Sequence, residues 1–294
     1  MKRNKIIVFL LLLSLTSCSN KKSESEYLDK ENLQMIEEIN SVANETFKKG
    51  KELVENISLV NKTKPEYKSD RKEDLKKNLA SLSKTDPKAK WVYDNFEKLD
   101  TIEAYLTGND PDTIEFVYNL NHNIDKFDYK EGESIKLNRK TPFYLQWDNR
   151  WAYDNLSSSN VGIAGCGPTS MAMIISRLTN DPSITPKIIA KDAEEFMVED
   201  GIAWSFFPHE ASKYGLNCED IELNKDKMIK ALEDGPLLCS VQKGYFTLSG
   251  HILVIDSYKD GKFIINDPNS VKNTMREWDY DQLSDQIVHI WKLF

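Results

Sequence analysis

Cys166 lies in the stretch "NVGIAGCGPTSMAMI", with Gly165 before it, Gly167 after it and Pro168 next. A thiol attacks a carbonyl carbon only as the thiolate, and a free cysteine ionises near pH ~8.5. Two devices lower that value: the positive end of a helix and a neighbouring imidazolium. This stretch supplies the first. Pro168 suits an opening helical turn, and Met171, Ile174, Ile175 and Leu178 form an apolar stripe that predicts a helix over about 168–178. The backbone N–H of Cys166 is then placed to face a developing oxyanion. A small buried cysteine in a glycine turn would give the same pattern, so the motif needs a partner.

Four histidines are available. His122 sits among polar residues, His209 in a segment read as a loop, and His289 within a terminal strand. His251 opens the strand-like run "HILVIDSY" directly after Gly250, where its ring can be presented at the end of a sheet. Asp267 ends "KFIIND", the run that an Asp260-Gly261 turn would pair with the His251 strand. A carboxylate there can fix the imidazole tautomer and favour its cation. A turn aspartate before Pro268 is the plainer reading, and Asn266 and Asn269 are less favoured alternatives. Gln146, in "LQWDNRW", carries an amide that could give an oxyanion its second hydrogen bond. Taken alone it reads as a surface glutamine among core aromatics.

The segments "LQWDNRWAY", "GCGPTSMAMI", "GPLLCSV", "SGHILVIDSY" and "IINDP" follow one another in the order found in papain-like cysteine peptidases. They look most like the stand-alone relatives of the bacteriocin-processing, double-glycine-leader peptidases, over about residues 141–294. The resemblance implies an α+β fold with helices packed on an antiparallel sheet. It implies Cys166 as nucleophile, His251 as general base, Asp267 as orienting residue and Gln146 in the oxyanion hole, with no cofactor. Leader peptidases work on the cytoplasmic side of a transporter, so bacteriocin-leader cleavage is not expected of a chain directed to export. Two other readings keep the same residues: a silent peptide-binding scaffold, and an acyl transferase passing the acyl group to an amine. Trp147, Trp151 and Trp204 are the aromatics expected to wall the cleft.

The elements that must position these groups can be read from periodicity. Residues 126–294 form the expected peptidase-like domain. Beyond the Cys166 helix, helices are expected at about 186–199 and from an Asn224 cap to Gly235-Pro236. Strands are expected at "PLLCSV", "HILVIDSY", "KFIIND" and "IVHIWKLF". Helices first and strands later is an α+β order. Residues 28–125 read as a helical region. Asp86-Pro87 and Asp110-Pro111 each resemble an N-cap followed by a first-turn proline. The first helix would bury Trp91, Val92, Phe96, Leu99 and Ile102, and the second Ile114, Val117 and Leu120. The charged run at 61–74 reads as a linker or exposed loop. Nothing in 28–125 suggests chemistry.

The chain begins "MKRNK", then "IIVFLLLLSL", then Leu15-Thr16-Ser17-Cys18. The apolar run is about half of the ~20 residues needed to cross a bilayer, so it reads as a signal segment. Its end resembles the lipobox of bacterial lipoproteins. That implies cleavage after residue 17, lipidation of Cys18, a tether over 18–27 and a lipid-anchored, extracytoplasmic protein acting on peptide or protein. The formal charge of −8 becomes more negative once Lys2, Arg3 and Lys5 are removed. Nucleic acid is therefore not an expected partner, since phosphate binding requires clustered cations. Of the remaining cysteines, Cys218 and Cys239 could pair or stay as two buried thiols, leaving Cys166 free. No metal-ligand spacing is present.

Overall fold

The structure, a computed structural model, describes residues 64–199 and 201–294. The signal segment, Cys18, the tether and the helical pattern over 28–60 lie outside the described residues.

Four helices come first: α1 (Lys72–Leu79), α2 (Pro87–Asn95), α3 (Thr101–Asn109) and α4 (Ile114–Asn121). Asp86 caps α2 as the sequence suggests, accepting from the N–H groups of Lys88 and Ala89. Asp110 takes the N-cap position before Pro111, but its side chain makes no cap hydrogen bond. It ends α3, and a short 3-10 turn at Pro111–Thr113 leads into α4. Its carboxylate is instead bonded to Lys68 and Ser270, a tertiary use that no local pattern announces. Ile102 also departs from expectation. It opens a separate helix rather than continuing α2, and it is 48% exposed. The expected linker ends early, because α1 begins at Lys72 and the Lys68 side chain is already buried.

α5 (Cys166–Thr179) is the central helix. It starts two residues earlier than predicted, at Cys166 itself. Met171, Ala172, Met173, Ile174 and Ile175 are all fully buried. A helix apolar on every side belongs inside a domain. It stops at Asn180, a left-handed residue (φ +53°). α6 (Pro186–Ala193) is shorter than expected, giving way to a 3-10 turn at Glu194–Phe196. α7 (Phe206–Lys213) contains His209, so that segment is helical and not a loop. α8 (Lys225–Asp234) is capped by Asn224, as predicted.

One six-stranded antiparallel sheet carries the second half. Its strands are β1 (Cys218–Asp220), β2 (Leu237–Gln242), β3 (Gly250–Lys259), β4 (Lys262–Asn266), β5 (Glu277–Trp278) and β6 (Ile287–Leu293), in the order β1-β6-β2-β3-β4-β5. The β3–β4 turn uses Asp260 and Gly261, both at positive φ (+53° and +83°), the twist a two-residue hairpin needs. Alternating residues feed two cores. Leu238, Ile252 and Val254 pack with α5, whereas Cys239, Leu253 and Ile255 pack with α8 residues Met228 and Leu232. This is the expected α+β layering of helices on an antiparallel sheet.

Cys218 and Cys239 are both unpaired. Cys218 sits opposite Leu293 and Cys239 opposite Ile290, so all of β6 lies between their strands. Adjacent strands are ~4.8 Å apart, and two such spacings put the pair beyond disulfide reach.

Candidate active site

α5 delivers Cys166 at its first position, where the helix leaves N–H groups without intrahelical partners. The preceding turn is tight. Gly165 donates to the Val161 carbonyl, and a side chain there would press 2.3 Å from that same oxygen. Only glycine fits, which places the thiol at the mouth of the turn.

β3 delivers His251, opposite Val241 of β2. β4 and the residue after it deliver Asp267. Val254 pairs with Asn266, so the next residue along comes within diagonal reach of His251. The ring Nε2 lies 2.8 Å from Asp267 Oδ1. That leaves Nδ1 for Cys166, which lines the same cavity and lies close enough for each group to shift the other's ionisation. Both members of the His–Asp pair are buried, with side chains 6% and 0% exposed. Cys166 is half-buried.

The Asp267 carboxylate is fixed from all sides. Its Oδ2 accepts from Asn273 Nδ2 (2.9 Å) and its Oδ1 also from the Asn269 N–H (2.9 Å). Its own N–H donates to Thr274 Oγ1 (2.9 Å). Arg139 clamps the same loop, giving one guanidinium nitrogen to Ile265 O and Asn266 Oδ1 and the other to Thr274 O. Asn266 thus serves the loop, and Asn269 uses its carbonyl to accept from Trp147 Nε1. Neither replaces Asp267 at the imidazole.

The electrostatics follow from this packing. Burial works against the thiolate, but the hydrogen bond and charge of His251, with the N–H groups of Ile252 and Gly167, hold Cys166 below its ordinary value. Burial likewise works against the imidazolium. The Asp267 charge and hydrogen bond, with the sulfur on the other side, push His251 well above its ordinary range. Burial would raise Asp267, yet His251, Asn273 and the more distant Lys68 keep it low. All three shifts favour the charged form of the group concerned. Cys239 is the control: buried without a cation, its thiol is driven far up.

Gln146 is buried, and its N–H donates to the Pro268 carbonyl of the Asp267 loop. Its Nε2 bonds Gly162 O at 2.9 Å and Ile163 O at 3.2 Å, in the turn before Cys166, while its Oε1 has no partner. In this arrangement the amide braces the turn before Cys166. The three tryptophans are corrected. Trp151 is a core residue, 1% exposed, bonded to Leu145 O. Trp204 meets His289 at a tilt and Trp291 edge-on, and Trp147 packs against the Asn269 loop. None of them lines the cavity that holds the thiol.

That cavity is about 220 Å³. Cys166, His251, Gln146 and Asn269 lie along it with residues 246–250 of the β2–β3 loop. The other wall comes from the helical region: Lys68, Ile102, Tyr105, Leu106, Asn109 and Asp110. The helical region, where the sequence suggests no chemistry, thus lines the cavity that Cys166 and His251 share. Lys68 and Asp110 form an ion pair, and Asp110 Oδ1 accepts from Ser270 Oγ (2.6 Å), three residues past Asp267. Nothing in the sequence around Lys68 or Ser270 could have signalled this, because the contact spans elements far apart in the chain. Among the described residues, no group of three or more His, Cys, Asp or Glu is placed to hold a metal ion.

A search of curated proteins finds no match. Two solved structures resemble the chain at TM-scores of 0.36. One is the peptidase domain of Streptococcus ComA, a bifunctional ABC transporter of a quorum-sensing pathway, 15% identical, covering 45% of this chain and 90% of that one. The other is a double-glycine-motif protease from an AMS/PCAT transporter in complex with the leader peptide, 16% identical, covering 56% of this chain and 97% of that one. A family model matches residues 139–294, which hold Gln146, Cys166, His251 and Asp267. By that match, over more than half its length, the chain belongs to the Peptidase_C39-like family.

Proposed function

We propose that this protein is a cysteine hydrolase that cleaves peptide or amide bonds through Cys166, His251 and Asp267. The supporting observation is the grouping itself: a thiol at a helix start, sharing one cavity with an imidazole whose Nε2 is held by a buried carboxylate at 2.8 Å.

The Cys166 thiolate forms a bond to the substrate carbonyl carbon, and the π electrons move onto the oxygen. The Cys166 N–H and the Gln146 side chain receive that oxyanion. The longer of Gln146's two bonds, to Ile163, is the one the amide gives up when substrate arrives. The intermediate collapses to a thioester as the C–N bond breaks, and the His251 imidazolium hands its proton to the departing amine. Neutral His251 then takes a proton from water, and the resulting hydroxide attacks the thioester. The acid leaves and the thiolate is restored. Asp267 holds the imidazole orientation throughout and stabilises its cation.

The same reading places the protein outside the cytoplasm, anchored through a lipid on Cys18. Support comes from the sequence beginning "MKRNK" and ending its apolar run at Leu15-Thr16-Ser17-Cys18. Metabolic labelling with radioactive palmitate should mark the wild type and not Cys18→Ala.

The hydrolase reading is tested by digesting a peptide library with wild type and Cys166→Ala and identifying products by mass spectrometry. Cleavage by wild type alone supports it. Equal cleavage, or iodoacetamide reacting with Cys166 at pH 6.5 no faster than with a free thiol, sinks it.

A further inference from the structure

The wall opposite the β2–β3 loop has a chemistry of its own, and it lies outside the residues the family model matches. Ile102 and Tyr105 are one turn apart on α3, and Leu106 is beside them. Ile102 is 48% exposed and Tyr105 half-buried, while Phe246 and Leu248 approach from the facing loop. Large apolar side chains are normally spent in a core. Here Ile102 and Tyr105 keep exposed surface at the cavity that Cys166 lines, with Leu106 and Phe246, both core residues, behind them.

The charges of the same cavity are spoken for. Lys68 and Asp110 pair with each other, and Asp110 also takes the Ser270 hydroxyl. Apart from the thiol and His251, the described lining offers no charged group without an opposite partner. A charged substrate side chain entering it would lose water and gain no counter-ion, which costs heavily. An aliphatic or aromatic one would bury its surface on Ile102, Tyr105 and Leu106.

Taking the hydrolase reading as given, the geometry points to α3 as a substrate-selecting wall: Ile102, Tyr105 and Leu106 form a subsite for an apolar side chain of the peptide close to the cleaved bond. The helical region is thereby part of the recognition machinery, and it is fastened there by the Asp110–Ser270 bond and by the Lys68 N–H to the Gly244 carbonyl (2.8 Å).

The test is positional profiling of cleavage on a random peptide library by wild type and Ile102→Asp. This substitution is gentle on the fold, since Ile102 is exposed and sits in the first turn of α3, where a carboxylate suits the helix end. Wild type should favour Leu, Ile or Phe over Asp or Lys at one position near the cut by about 10- to 100-fold. Ile102→Asp should erase that preference, raise KM for the apolar peptides by about tenfold with kcat little changed, and improve cleavage of Lys-bearing peptides. Cys166 alkylation should be the same in both proteins. Unchanged specificity in Ile102→Asp, or no apolar preference in wild type, overturns the subsite and leaves the hydrolase standing. A wild type that cuts nothing overturns both.

Discussion

Two histidines of the sheet are matched to aspartates at nearly the same distance. His251 Nε2 lies 2.8 Å from Asp267, and His289 Nε2 lies 2.9 Å from Asp220. The surroundings differ entirely. Asp267 is fully buried and bonded to Asn273 and Asn269, whereas the Asp220 side chain is 73% exposed. The remaining face of the His251 ring meets a thiol, and that of His289 meets Trp204 and Trp291. A His–Asp contact is therefore not a catalytic pair by distance. What sets the His251 pair apart is desolvation, which strengthens each charge interaction, together with Cys166 in the same cavity.

The largest contrast should come from the rings. His251→Ala removes the proton carrier and the cation that holds the thiolate, so peptide cleavage should fall by about 10⁴-fold or more. Iodoacetamide labelling of Cys166 at pH 6.5 should slow to the rate of an ordinary thiol. His289→Ala should leave both within about twofold. Equal losses in the two variants would erase the distinction drawn here.

The carboxylates come next. Asp267→Asn keeps the shape and removes the charge, so activity should drop by about 10²–10⁴-fold. The pH profile should narrow as well. The thiolate–imidazolium pair exists from the depressed Cys166 value up to the raised His251 value. Without the Asp267 charge the His251 value falls, so the alkaline limb of kcat/KM should move to lower pH. Stability follows the same signs. The raised His251 stabilises the fold fully below its ordinary value of 6.5 and loses that contribution as pH rises through its folded value. The depressed Asp267 stabilises above 3.8, and that contribution is lost as pH falls through its folded value. Thermal melts of wild type and Asp267→Asn should differ most between these limits.

Three residues of the candidate site could be picked out from the chain because each carries a local mark. Cys166 has its two glycines and Pro168, His251 opens a strand after Gly250, and Asp267 closes the strand that a turn at Asp260-Gly261 brings alongside. The supports carry none. Asn273, Arg139, Ser270 and Lys68 look like ordinary surface residues until the fold brings them to the Asp267 loop. Asp110 was legible only in part: aspartate before proline does open a helical turn here, but its carboxylate pairs with Lys68 instead of bonding the first N–H groups. The tryptophans misled because aromatic residues near a nucleophile are as useful to a core as to a cleft. Trp151 is sealed against Tyr144 and Leu145.

A third prediction compares the helical region with the turn that holds the nucleophile. Gly162 lies one helical turn before Cys166, and a methyl group there would meet the Phe116 ring of α4 at 2.3 Å. Phe116 is 1% exposed and has little space to retreat. Gly162→Ala should therefore cost about 1–3 kcal/mol, seen as a Tm lower by several degrees. It should also lower activity by disturbing the Gly162 carbonyl that anchors Gln146. A variant with wild-type melting and cleavage would mean that α4 does not press on the catalytic turn.

The smallest effect belongs to the exposed pair. Asp220→Asn leaves an oxygen to accept from His289 and removes only the charge. Ion pairs at the surface contribute about 0–1 kcal/mol and are screened by salt. For a chain of this size Tm should move by less than about 4 °C, and less still at high ionic strength, with cleavage unchanged. Asp267→Asn should lower Tm more, and added salt should not restore it, because a buried charge left without its partner gains nothing from ions in solution. The salt response decides the comparison. A Tm loss in Asp220→Asn that matches Asp267→Asn and resists salt would show that burial is not what separates the two histidines.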